Sequence, residues 1–159
     1  MAYILSADGR DNDFGAAWGR YQEFLAAARD RFPPGALALA SSGWYYDFAD
    51  RRCPHDAWLE HVTIREPSSG ARGEVRELAI SARLLGAHHD GYIELSYPRV
   101  HSYRLDIHDG ASGHKDWRYD EFRLSERGNL IHEIEWSGRD GAGTWLIEAS
   151  DIELGWVPR

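Results

Sequence analysis

From Trp58 to the C-terminus, apolar side chains recur at alternate positions in short runs, and Gly, Pro, Asp or Asn cuts off each run. Period two is the side-chain repeat of a strand, so most of this chain is committed to β-structure joined by short turns. Trp58, Val62 and Ile64 share one parity, and Leu78, Ile80, Ala82 and Leu84 share another. Asp90-Gly91 predicts a two-residue hairpin that pairs His89 with Tyr92 and Leu84 with Tyr97. Pro98-Arg99 predicts a tight turn before a strand from Val100 to Ile107, and Asp109 to Lys115 predicts a Gly-rich loop. The loop Glu126-Arg127-Gly128 sets Leu124 opposite Leu130 and Phe122 opposite His132. A turn from Gly138 to Gly143 leads into one or two last strands between Trp145 and Trp156, broken near Ser150-Asp151.

One segment has a different period. Phe14, Ala17, Trp18, Tyr21, Leu25, Ala28 and Phe32 fall three or four apart, which predicts an amphipathic helix over about residues 13–31. Asp11 or Asp13 caps its start and Pro33-Pro34 stops it. Between Gly35 and Asp50 a hairpin is preferred to a second short helix. The expected fold is α+β. It is a mostly antiparallel β-meander of about seven or eight strands over about residues 57–157, strongly curved or barrel-like, with one N-terminal amphipathic helix packed on it.

The 159 residues suit a single domain spanning the whole chain. Seven Trp, eight Tyr and five Phe favour half-buried pleated surfaces. Cys53 is the sole cysteine, so no internal disulfide forms. The N-terminal apolar stretch ends at Asp8 and lacks a basic lead, and no later run approaches a membrane span. A cytoplasmic location follows as the expectation, and the Arg-for-Lys bias fits a GC-rich bacterial genome. Net charge is -8, and Asp116 to Arg159 holds ten acidic residues against five Arg, a net of -5. That balance repels phosphate backbones and argues against a nucleic-acid partner.

There is no phosphate-binding loop, no nucleophile elbow, no paired-Cys motif and no His-Glu-x-x-His. His88 and His89 point to opposite faces of a strand, so no metal and no cofactor is expected. Cys53-Pro54-His55-Asp56 reads as a loop with an incidental thiol. Two sets of side chains remain. His132 shares its inward parity with Trp136 and faces Phe122, and with the inward carboxylate of Asp120 these residues are candidates to line a ligand pocket. Glu133, Glu135, Glu121, Asp151 and Glu153, with Trp44 and Tyr45 as aromatic anchors, are candidates for a surface that engages a basic protein partner. The first functional expectation is an acidic, non-catalytic binding protein, for example an immunity-type or inhibitor protein. The alternative is a curved sheet that encloses a small ligand beside the His132/Asp120 pair, with weak acid/base chemistry available to it. Oligomeric state is left open.

Overall fold

The computed structural model of the chain describes residues 1–108, 112–138 and 141–159. Three helices come first: α1 (Ala7–Asn12), α2 (Phe14–Ala28), which runs on through a 3-10 turn at Arg29–Arg31, and α3 (Pro34–Ala40). Ten strands follow. They are β1 (Trp58–Arg65), β2 (Ser68–Ser69), β3 (Val75–Arg76), β4 (Ala79–Leu85), β5 (Gly91–Tyr97), β6 (Val100–Ile107), β7 (Asp116–Leu124), β8 (Leu130–Gly138), β9 (Gly141–Ala149) and β10 (Glu153–Pro158). Strands β2 and β3 form a small ribbon, and the other eight make one antiparallel sheet in the order β10-β5-β4-β1-β7-β8-β9-β6.

The sheet is curved and is not closed. It is α+β and antiparallel as expected, but it is not a simple meander. Only two residues separate β5 from β6, yet β6 lies at the far edge of the sheet, so the chain turns a corner at Pro98-Arg99 instead of pairing the two strands. The amide of Val100 donates to Leu78 and that of Ser150 to Arg99, which ties the corner to the start of β4 and the end of β9. The middle of the sheet is equally tenuous, because β1 meets β7 at the single pair Trp58↔Asp116. Two four-stranded halves result, β10-β5-β4-β1 and β7-β8-β9-β6.

The helix lies where periodicity places it. Asp13 caps α2 by accepting from the Ala16 amide, and Ala17, Tyr21, Leu25 and Ala28 form its buried stripe. The hairpin expected between Gly35 and Asp50 is not formed, because α3 occupies its start. Pro34 suits a first helical turn, and the Asp151 carboxylate, from the far end of the chain, accepts from the amides of Gly35 and Ala36. A cap supplied across more than a hundred residues leaves no local sequence signal.

The 126–128 loop keeps its expected register, with Gly128 left-handed at φ 81°. The Asp90-Gly91 hairpin does not. Its turn is Gly86 to Asp90, and Leu84 pairs with Ile93, with Tyr97 opposite Ile80 instead. The slip is even, so inward residues stay inward. Gly91 serves packing and not the turn: a Cβ there would lie 2.2 Å from the Trp156 ring of β10. In β1 the expected inward set is also corrected. A bulge between Leu59 and His61 turns Leu59 and Val62 toward the core, while Trp58 is 48% and Ile64 41% exposed. The turn expected over Gly138 to Gly143 and the loop expected from Asp109 to Lys115 lie partly outside the described residues.

Candidate functional site

The site originates in the weak seam between the two halves. In antiparallel register, the chain just before β1 should continue along β7, but Pro54 and the turns around it hold residues 50–57 as a loop. That loop reaches only the start of the β7 edge. The Asp56 amide donates to Trp117 and the Trp117 amide to Ala57, and His55 Nδ1–H donates to the Arg118 carbonyl. Further along, the Tyr21 hydroxyl of α2 takes over, accepting from the Phe122 amide at 2.8 Å and donating to its carbonyl. Between these two patches the edge of β7 is left open, and a pocket of about 550 Å³ occupies the gap.

Aromatic rings from three parts of the chain line it: Trp18 from α2, Tyr45, Tyr46 and Phe48 from the loop after α3, and Trp117 and Tyr119 from β7. Phe48 stacks on His55 at 3.8 Å between ring centroids. Asp120 is the buried carboxylate of the wall, only 4% exposed. Its Oδ2 accepts from the Tyr45 hydroxyl and from His132 Nε2, both at 2.9 Å, and its Oδ1 accepts from the Trp117 indole at 3.1 Å. Because a carboxylate accepts, the His132 proton sits on Nε2, and Nδ1 takes the Tyr97 hydroxyl at 2.8 Å. Burial raises Tyr97 and Tyr45 well above the ordinary tyrosine pKa, so both hydroxyls stay protonated and donate. The chain Tyr97, His132, Asp120, Tyr45 therefore crosses from β5 to β8, to β7 and to the loop, joining the two halves through the interior.

Trp117 and Asp120 are three apart on one strand, which ordinarily puts them on opposite faces. A bulge at Arg118, between the pairs Trp117↔Trp136 and Tyr119↔Glu135, brings both to the inner face. Parity alone finds Asp120 but misses its indole donor. Of the sequence-derived pocket set, Asp120 lines the cavity, while His132, Phe122 and Trp136 are fully buried behind it. His132 thus acts through Asp120. Phe122 packs on His132 and Tyr45, and Trp136 on Trp117 and Trp145. Sequence reading missed Trp18, assigned only to the core, and also Tyr46, Phe48, Cys53 and His55. The run Trp44 to Phe48 was the available signal. The Cys53 thiol is pushed up to about 12 by burial, and His55 is lowered, also by burial. Neither is an activated nucleophile or a charged wall near neutral pH.

The partner-surface set is dispersed. Glu121 is not on the outside: it is fully buried, because the N-terminal segment covers that face and its Oε2 accepts from the amides of Tyr3, Ile4 and Leu5. Glu133 is paired with Arg123, which also reaches Glu121 at 3.0 Å, and Glu135 is paired with Arg10 at 3.2 Å. Asp151 is the cap of α3. Tyr45 is buried on Asp120, Trp44 is half-buried under the Arg52 guanidinium at 4.6 Å, and Glu153 is exposed.

An open antiparallel sheet with an aromatic pocket and one deeply held carboxylate is the class of structure that fold and site define. Comparison with protein-family models, with curated proteins and with solved structures gives no match. Among the described residues no cluster of three or more His, Cys, Asp or Glu is arranged to hold a metal, and no helix is long and apolar enough to cross a membrane.

Proposed function

We propose that the chain binds a small molecule in this pocket, and that the ligand carries an apolar or aromatic body with an ammonium head directed at Asp120. The carrying observation is the Asp120 carboxylate, held in place by three donors at the wall of an aromatic cavity. Binding sites of this size are mostly apolar with a few fixed polar groups, and aromatic faces favour cations. The arginine on the wall, Arg118, is engaged by Asp56 at 3.2 Å, and Asp47 adds a second carboxylate. A carboxylate with three donors and a thiol held neutral support binding over catalysis.

The test is titration of intrinsic tryptophan fluorescence with 2-phenylethylamine and with 2-phenylethanol. Saturable quenching by the amine, weakened about tenfold or more by Asp120→Asn, is the expected result, since a hydrogen bond to a charged group contributes about 1.5–3 kcal/mol. Gly43 lines the pocket and has open space around it, so Gly43→Trp should block binding without disturbing the fold. Equal binding of the alcohol would remove the ammonium assignment, and no saturable response to either compound would remove the pocket reading.

The reading as an acidic binder of a basic protein rests on the net charge of -8. Four of its five acidic candidates, Glu121, Glu133, Glu135 and Asp151, are engaged within the chain, and Tyr45 is buried on Asp120, so it stands second. A salt-released basic protein in a pull-down from the producing cells would reverse that order.

A further inference from the structure

The two free margins of the sheet are β10 and β6, and they differ in how well they resist pairing. β10 is short, begins with Glu153 and ends in Pro158, which has no N–H to offer a neighbour. β6 is eight residues long, contains no Pro, and is exposed along most of its length. Tyr103 and Leu105 continue the row of the buried Ile147 and Trp145 across from β9, and Ile107 extends it. That apolar row is left half open, with Tyr103 43% and Ile107 39% exposed. On the opposite parity Arg104 and Asp106 stand side by side, bridged at 2.8 Å and both well exposed.

This sequence is complementary to itself. When two copies of β6 run antiparallel about a two-fold axis through Leu105, Arg104 of each faces Asp106 of the other, Tyr103 faces Ile107, and Leu105 faces Leu105. Cross-strand pairs of opposite charge and of apolar groups are the stabilising units of a sheet. The neighbouring registers are poorer. An axis through Arg104 sets two guanidiniums against each other, and one through Tyr103 leaves Asp106 opposite Val100. We infer that the protein forms a two-fold symmetric dimer by pairing β6 with β6, which joins two eight-stranded sheets into one and covers the apolar row. Such an interface is isologous, so one charge swap changes both of its ends.

Sedimentation equilibrium across the micromolar range tests this with four samples. The unaltered chain should sediment at twice its 18.1 kDa mass. Arg104→Asp and Asp106→Arg each place like charges across both ends and should yield monomers. An equimolar mixture of these two variants should dimerise again, because the acidic pair of one faces the basic pair of the other. Circular dichroism confirms that each variant is folded, and both side chains are exposed enough for folding to be retained. A monomeric unaltered chain overturns the inference. So does a dimer that persists in both single variants, or a mixture that stays monomeric.

Discussion

The two halves of the sheet fill their inner faces differently. In β4 and β5 the inward residues are Ile80, Ala82, Leu84, Ile93, Leu95 and Tyr97, and five of these six are purely aliphatic. Burial alternates cleanly along β4, fully buried residues on the inner face and half-buried ones on the outer. In β7, β8 and β9 three large indoles, Trp117, Trp136 and Trp145, pack around Asp120 and His132, and the outer face carries Glu121, Arg123, Glu133 and Glu135. Three successive residues, Asp120, Glu121 and Phe122, are buried, which a one-sided strand does not allow. One half is a scaffold held by area. The other is held by polar groups that depend on one another, and the pocket opens on that half.

The largest effect should come from breaking the polar half on its outer face. Glu121→Ala removes the acceptor of three amides and leaves Arg123 with one carboxylate instead of two. Breaking a buried charge pair costs about 3–5 kcal/mol, and urea denaturation should show a loss of that order, with protease cleavage near the N-terminus becoming faster. A loss below about 1 kcal/mol would mean that the contacts of Glu121 are replaced by water.

The contrast between the halves also explains what was legible from sequence. β4 follows from period two because burial alone decides it, and the hairpin of β7 and β8 follows from the 126–128 loop, which fixes its register. Asp120 and His132 were found as polar residues at inward parity, a local anomaly that needs no knowledge of neighbours. Glu121 was misread because its cover comes from residues 3–5, and Asp151 because its partner is α3. Neither partner is near in sequence, so neither leaves a periodic trace. The bulge at Arg118 is invisible for another reason: one extra residue changes face without changing composition. The pocket itself follows from β1 pairing with β7 only once, which is a matter of topology and not of pattern.

A matched pair of substitutions sharpens the comparison at the next level. Leu84→Ala in the scaffold half should cost about 3 kcal/mol through lost burial and a residual cavity, and should leave amine affinity unchanged. Tyr45→Phe removes one donor to Asp120 and should cost only about 1–2 kcal/mol. It should nevertheless alter amine affinity, because it changes the carboxylate that faces the ligand. Stability and binding measured on both proteins would cross if the halves have separate roles. Parallel losses in both would mean that they do not.

The smallest effect concerns pH and again divides the halves. Burial lowers His55 below the ordinary 6.5, against an upward pull from Asp56. The folded chain therefore takes up this proton less readily than the unfolded chain. Above pH 6.5 neither state is protonated and the contribution to stability is fully present. As pH falls from 6.5 toward the lower folded value, the unfolded chain gains its proton first and stability is lost, and below the folded value the loss stops. His114 is lowered by burial in the same direction, so His55→Gln should reduce the loss over this window without abolishing it. Leu84→Ala should shift the whole stability curve downward and keep its slope, since the inner face of its half carries no histidine. Amine binding should weaken over the same window, because a protonated His55 beside the pocket repels an ammonium head. An unchanged slope in His55→Gln would assign the pH dependence to other groups and leave His55 as a packing partner of Phe48 alone.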